Sequence, residues 1–527
     1  MRNPVFTIGD LNALFALLLD NVVNLVVLTG LLTAVFGMPA DFVLTRMVPG
    51  TAIGVMVGDL AYTWLARRNG PHATAMPLGL DTPSTIGLAV AVIGPVFVAS
   101  GDAMTAWEVG MATLVCMGVV KLALSFAGDA VLRTLPRAGL LGPLAGVGLA
   151  LLGLFPVLKV FSAPIAGLVA TGILLFALVA KLPMPGRMPG ALAAVVAGLV
   201  LTVALRALGL EPPADQPESL PIGLHWPWPG VQHVFAGLPR ALDFLPIAIP
   251  FGLLTVVGGI NVTESARAAG DEYRTRDILL VEAVATLVAG LLGGVAQSTP
   301  YIGHPAYKAM GARSGYTLGV GLLIGIGGVA GVLGVVVQAL PEVAVAPILL
   351  FVGLEITVQA FEATPRRHWS AVAFSVIPVL AYLVSIYSGQ LIAAGARPAP
   401  PLAHEVETIQ LLSRGFILTA MLWGSAVAFL VDRRPLATLW TFWTLALFSL
   451  FGVVHSVDPS GALSLPDFAV DPRPGHLAAA YALTGVLLSA LTHAARSRPG
   501  AATAQARHPP CTDAIESPAD GLDAGTD

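Results

Sequence analysis

The sequence predicts an all-α polytopic membrane protein. The prediction rests on its composition, its hydropathy pattern and the charge of its loops. Of the 527 residues, 56% are hydrophobic and only 11% are charged. The mean hydropathy is +0.82. A soluble domain is about one quarter charged, so this chain cannot cover a globule with charge, and lipid must surround most of it. The net charge of −4 gives no reason to expect nucleic acid as a partner.

Sixteen apolar segments are candidate spans, since a helix needs about 20 apolar residues to cross a bilayer. The segments lie near 12–36, 43–65, 80–99, 104–126, 136–158, 162–180, 189–209, 241–264, 276–296, 303–312, 315–339, 343–361, 369–394, 413–431, 437–456 and 475–494. The residues after them, 496–527, are rich in Pro, Ala and polar side chains and are predicted to form a disordered cytoplasmic tail.

Positive charge in the loops predicts the orientation of these spans. If the N-terminus lies inside, the loops assigned to the inside hold 19 of the 27 Lys and Arg residues, and those outside hold 7. Lys121 falls within a span. Basic loops favour the cytoplasmic side, so both termini are expected in the cytoplasm and the protein in the cell (inner) membrane.

An internal repeat predicts how the spans are organised. Residues 135–149 resemble 340–354, with Leu-Pro at the start and Val-Gly-Leu at the same distance from it. Residues 82–87 resemble 299–303 in the same way. Both pairs are seven spans apart, and an odd displacement inverts the second copy. We expect inverted seven-span repeats at 10–210 and 241–432, an extracytoplasmic loop at 211–240 between them, and two additional spans within 437–495.

The third and tenth spans are predicted to be broken, because Pro, Gly and polar residues interrupt them. Thr82 before Pro83 is typical of a helix start with Thr82 as the N-cap, and Thr299 or His304 is the expected cap in the tenth span. Irregular backbone at membrane depth faces protein or a watery cavity, although both stretches also fit ordinary interfacial loops. The candidate substrate-binding residues are Asp81, Thr82, Ser84, Thr255, Ser298, Thr299, Tyr301, Gly303 and His304.

Ionisable residues inside spans are costly and usually functional. The candidates for ion or proton coupling are Asp20, Asn24, Asp59, Glu264 and His304. Two alternatives stay open: Glu264 is either a coupling group or an interfacial charge beside Arg267, and Lys121 either snorkels or pairs with an acid. No Cys/His cluster has metal-ligand spacing and no glycine-rich loop carries a phosphate-binding lysine, so no enzyme activity, metal or cofactor is expected.

Several stretches together resemble the nucleobase/ascorbate permease family of xanthine and uracil permeases. They are 135–149, the Gly258-Gly259 pair, 303–316 with its Gly-Ala-Arg-Ser, and 346–353. The resemblance implies a core of spans one to four and eight to eleven and a gate of spans five to seven and twelve to fourteen. It also implies a substrate site between the third, eighth and tenth spans and an elevator-type shift of the core. Sulfate- and bicarbonate-type transporters share this fold.

The chain departs from that family at two positions. The stretch 254–258 has no acidic residue before the glycines of the eighth span, and Gly303 stands where the family has a Glu in the tenth. The leading expectation is a proton-coupled secondary transporter for a nucleobase or a similar small polar solute. The alternative is an anion transporter or exchanger on the same fold. The oligomeric state, a homodimer included, is left open.

Overall fold

The computed structural model describes residues 6–70, 72–126, 135–182, 184–185, 190–210, 222–227, 230–301, 303–458, 466 and 468–496. The predicted tail beyond Arg496 lies outside the described residues, as do 211–221 and 228–229 of the predicted loop and the basic residues Arg2, Arg133 and Arg187.

All sixteen predicted segments contain helix. The first seven spans are Ile8–Gly30, Ala40–Asn69, Thr82–Ser100, Ala103–Leu124, Arg137–Ser162, Pro164–Val179 and Gly190–Ala207. The second seven are Leu245–Ala268, Thr275–Leu291, His304–Ala309, Gly315–Val329, Glu342–Glu362, Trp369–Ala393 and Phe416–Val431. The two additional spans are Pro435–Leu450 and Arg473–Arg496. Within the described residues, ten helices are long and apolar enough to cross a membrane alone, or up to eleven if a bent pair is one span.

Two helices were not predicted. Gly230–Ala241 lies within the predicted loop 211–240, and its His233 Nδ1 is 2.7 Å from Glu108 Oε1 at the start of the fourth span. Pro400–Ser413 precedes the fourteenth span and meets it at 76°. Both are too short for a span, so a search for long apolar runs passes over them.

The helices group into the core and gate that the family resemblance implies, and the fold prediction is confirmed. In the core, the second span packs on the ninth and eleventh, and the fourth packs on the eighth and ninth. In the gate, the fifth span packs on the twelfth, thirteenth and fourteenth, and the sixth on the seventh. The two additional spans pack on each other and on the fourteenth.

Several side-chain contacts join residues near the ends of different spans. Asn69 Nδ2 donates to the carbonyl of Glu272, and Arg367 Nε lies 3.0 Å from Asp432 Oδ1. The guanidinium of Arg46 lies 6.0 Å from the ring centre of Trp107.

A two-stranded ribbon joins the broken spans, which adds a small exception to an otherwise helical fold. Strand β1, Leu78–Leu80, pairs antiparallel with β2, Ser298–Pro300, and Gly79 faces Thr299. The ladder extends through Tyr301 N to Pro77 O at 2.7 Å and Asp81 N to Gln297 O at 2.9 Å. Each strand is followed by the helix of its broken span. This pairing satisfies backbone groups that would otherwise be unpaired inside the membrane.

The predicted helix caps were wrong in both broken spans. Asp81, not Thr82, is the N-cap of the third span, and its Oδ2 accepts from Ser84 N at 3.0 Å. In the tenth span Gly303 is the cap and makes no side-chain hydrogen bond. Helix begins at His304 itself, and Thr299 is held in β2. Asp81 takes the place of the adjacent Thr82 as the acceptor for a backbone amide at the start of the helix. Thr299 does not cap the helix of the tenth span, because it is paired in the ribbon.

Candidate functional site

A cavity of about 200 Å³ lies where the core meets the gate. Asp20, the Leu80–Pro83 turn (residues 80–83), the eighth span and the end of β2 form its core wall. The fifth and twelfth spans form its gate wall, through Leu141 and Phe351 among others. The cavity is therefore lined by residues of both the core and the gate.

The polar lining of this cavity is rich in hydrogen-bond acceptors. It consists of Asp20, Asp81, Thr82, Thr255, Asn261, Thr299, Tyr301, Glu355 and Gln359. Three of these are carboxyl groups, and they come from the first, third and twelfth spans. Among the described residues, no Lys, Arg or His lines the cavity. None of the three comes from the eighth or tenth span, where the nucleobase/ascorbate permease family has its acidic residues.

The first span presents its polar residues to the ribbon. Asn21 Oδ1 accepts from Leu80 N at 3.1 Å, while Asn21 Nδ2 donates to Leu17 O at 2.9 Å. A β-carbon on Gly79 would lie 3.0 Å from Asp20 Oδ2, so the strand runs close to the carboxyl. Asn21 therefore stabilises the ribbon, and its neighbour Asp20 faces the cavity.

Lys121 does not snorkel, because it pairs with an acid, as the second alternative expected. Its Nζ lies 2.7 Å from Glu282 Oε1, and both side chains are 0% exposed. The same ammonium donates to Thr286 Oγ1 at 3.0 Å, Gln297 Oε1 at 3.2 Å and Ser298 O at 3.0 Å. Lys121 therefore lies behind the ribbon, on the side of the core away from the gate.

His304 does not line the cavity, although the sequence analysis named it for both binding and coupling. Its Nε2 lies 3.2 Å from Thr74 O and 3.3 Å from Asp271 Oδ2. Asp271 Oδ1 also pairs with Lys308 Nζ at 2.9 Å. Because its helix begins only at His304, the imidazole faces the loop that enters the third span rather than the ribbon.

The remaining candidates divide in the same way. Asp20, Asp81, Thr82, Thr255, Thr299 and Tyr301 line the cavity. Ser84, Ser298, Asn24 and Asp59 are buried and do not line it, and Gly303 packs against the Tyr301 ring. Glu264 is exposed and pairs with Arg267 at 2.5 Å, which is the interfacial alternative.

Three polar lining residues were not among the candidates: Asn261, Glu355 and Gln359. A signal for two of them was present, since Glu355 and Gln359 are four residues apart and share a helix face. Glu355 also follows the repeated Val-Gly-Leu directly. The repeat therefore marks a stretch of the gate that faces the cavity.

Comparisons with known proteins find similarity in structure but not in sequence. No protein-family model matches the chain, and no curated protein matches it. A solved structure of SLC26A9 matches with a TM-score of 0.50 and 13% identity, over 81% of this chain and 65% of that one. The transmembrane domain of the cyanobacterial bicarbonate transporter BicA matches with a TM-score of 0.46 and 17% identity, over 74% of this chain and 97% of that one.

The chain spans slightly less than two thirds of the SLC26A9 chain that it matches. At this level of identity the likeness concerns the fold alone. Together with the apolar spans and the inverted repeat, it defines a multi-pass helical membrane protein with the core-and-gate architecture shared by SLC26A9. Membership of the nucleobase/ascorbate permease family in particular receives no support from these comparisons.

Proposed function

We propose that this protein is a secondary active transporter that moves a small polar solute by alternating access. The observation that carries the proposal is the cavity between the ribbon and the twelfth span, because it is lined by polar groups of both bodies. Discontinuous spans that meet near mid-membrane are the usual site of substrate and coupling ion in transporters built from inverted repeats. An elevator-type shift of the core against the gate would expose this site to either side.

Asp20 is our candidate for coupling transport to protons. Its carboxyl lines the cavity, and among the described residues no cationic group lies within 4.0 Å of it. An unpaired carboxylate at membrane depth is costly, and binding a proton removes that cost. The loaded core would therefore cross with Asp20 protonated and return after the proton leaves.

The acceptor-rich lining favours a solute that donates hydrogen bonds. Carboxylates accept only, and Asp20, Asp81 and Glu355 surround the same space without a described basic residue. A heterocycle with N–H groups satisfies this lining, as the sequence analysis expected of a nucleobase-like solute. We therefore propose the wider class of small polar solutes, and not nucleobases alone, as the transported solute.

An anion is the second candidate, and one observation favours it. The N-terminal end of the 19-residue helix Thr82–Ser100 opens on the cavity, and such ends attract negative charge. An anion that keeps an O–H group, such as bicarbonate, could donate to one carboxylate while the helix end stabilises its charge.

The experiment is uptake of labelled uracil, xanthine, sulfate and bicarbonate into proteoliposomes, with and without an inward proton gradient. We expect gradient-driven accumulation of one of these classes. Asp20→Asn should lose the gradient-driven component and keep solute counterflow, because binding survives without the titrating group. Asp41→Asn, the same change at an exposed position, is the control.

Two outcomes would contradict the proposal. Flux of none of the four solutes through the folded wild-type protein would refute transport of these classes. Gradient-driven accumulation that persists in Asp20→Asn would remove Asp20 from coupling.

We also propose that the basic loops and both termini face the cytoplasm of a cell with this protein in its inner membrane. A homodimer stays a prediction.

A further inference from the structure

The buried pair of Lys121 and Glu282 needs an explanation beyond stability. Both side chains are fully buried, at an Nζ–Oε1 distance of 2.7 Å, in the wall between the fourth and ninth spans. Removing two charges from water is costly, and well-packed apolar residues in place of such a pair are often as stable or more stable. A pair that stability alone does not require is a candidate for a role in positioning.

The partners of Lys121 show what it positions. Besides Glu282 and Thr286, its ammonium contacts Gln297 Oε1 and Ser298 O, which begin the ribbon strand β2. An ammonium has only donors, so it holds the oxygen end of the Gln297 amide towards itself. The NH₂ end of that amide must then point the opposite way.

The opposite end of the Gln297 amide meets Asp81 at the cavity. Gln297 Nε2 donates to Asp81 Oδ2 in a long contact of 3.5 Å, and Gln297 O accepts from Asp81 N at 2.9 Å. Ser84 N donates to the same Oδ2 at 3.0 Å. A continuous chain of contacts thus runs from Glu282 through Lys121 and Gln297 to a carboxyl that lines the cavity.

We propose that Lys121, held by Glu282, is a positioning residue that fixes the Asp81 carboxylate towards the solute through Gln297. The groups that face Asp81 are Lys121 from the fourth span and Glu282 from the ninth, with Asp20 and Glu355 across the cavity. Lys121 is the cationic member of this set, and it reaches Asp81 through the Gln297 amide. This inference rests on the proposed transport function.

The first test replaces the pair by apolar residues of similar length, as Lys121→Met/Glu282→Met. Because no charge is left unpaired, the variant should fold, with a Tm lowered by the hydrogen bonds that Gln297 Oε1 and Ser298 O lose. The KM for the transported solute should rise by about tenfold, which corresponds to one lost hydrogen bond to a charged group. The matched control is Lys159→Met/Glu342→Met, a half-exposed pair at 2.6 Å elsewhere in the gate, which should leave the KM unchanged.

The second test measures Asp81 without transport. Infrared spectra of the purified protein across a pH series should show the protonated-carboxyl band of Asp81, assigned by its loss in Asp81→Asn. In the double variant the frequency of this band should shift, because the carboxyl loses its fixed contact with Gln297 Nε2. Gln297→Leu, which leaves the Lys121–Glu282 pair intact, should raise the KM in the same way.

The outcomes separate this inference from the proposed function. A wild-type KM and an unshifted Asp81 band, in the folded double variant or in Gln297→Leu, overturn the positioning role even if the protein transports. A shifted band supports the role even where none of the four solutes is the natural cargo. Misfolding of the double variant leaves Gln297→Leu to decide.

Discussion

Gly50 in the second span gives the sharpest test of how the core is packed. A β-carbon on Gly50 would lie 2.3 Å from both Gly294 N and Leu292 O, which follow the ninth span. Gly54, one turn further on, would place its β-carbon 2.5 Å from that of Ala289. Small residues at this spacing let two helices approach closely inside a membrane.

The cost of Gly50→Ala follows from these distances. Real β-carbons do not approach other atoms within 3.0 Å, so 2.3 Å requires the two segments to separate by at least 0.7 Å, the difference of the two. The atoms in the way are backbone, so no side chain can rotate aside. Overpacking of this kind costs about 1–3 kcal/mol, against about 1 kcal/mol that alanine gains over glycine in a helix. We expect a net loss of about 0–2 kcal/mol.

The measurement is reversible unfolding in detergent, followed by circular dichroism. Gly172→Ala in the sixth span is the control, since nothing lies within 4 Å of its added β-carbon. It should gain up to about 1 kcal/mol from helix propensity alone. If Gly50→Ala proves as stable as Gly172→Ala, the close crossing of the second span over the end of the ninth is refuted.

Two further predictions follow from residues outside the cavity. His304→Ala should lower the Tm and leave the KM of transport unchanged, because the imidazole contacts Thr74 and Asp271 rather than the cavity; a raised KM at unchanged Tm would return His304 to the site. Asp432 has a lowered pKa, since partial burial opposes ionisation but the His368 hydrogen bond and Arg367 outweigh it. A lowered pKa in the folded state stabilises the fold above the ordinary carboxyl pKa, and this is lost as the pH falls through the lowered value. An acid titration of the Tm should therefore be steeper for the wild type than for Asp432→Asn.

The spans could be predicted from sequence because the bilayer imposes one rule on each of them. Every spanning helix must hide its backbone and present apolar side chains to lipid, so long apolar runs are sufficient to find it. Gly230–Ala241 and Pro400–Ser413 do not obey that rule, because neither has to cross the bilayer. Their positions depend on contacts such as His233 with Glu108, which no local pattern records.

The candidate site could be located from sequence but not assembled. Proline and glycine indicate where the third and tenth spans break, and Thr82 and Thr299, which lie at these breaks, line the cavity. The ribbon determines which residue caps each helix. Its strands are distant in sequence, since Leu80 pairs with Ser298, 218 residues further along the chain, so no local pattern predicts the caps. The partner of Lys121 is equally remote, since Glu282 lies 161 residues away along the chain.

The net charge of the core gives a reason why Lys121 is paired with Glu282. In an elevator-type transporter the core moves and Glu355 of the gate stays, so the net charge of the core is carried through the membrane field. Each elementary charge costs about 2.3 kcal/mol per 100 mV. An unpaired Lys121 could position Asp81, but it would add one positive charge to the core, and that charge would move through the membrane field. Paired with Glu282, it adds none, so the charge that moves is set by the other ionisable groups of the core, Asp20, Asp59 and Asp81 among them, and by whatever cation or solute they bind.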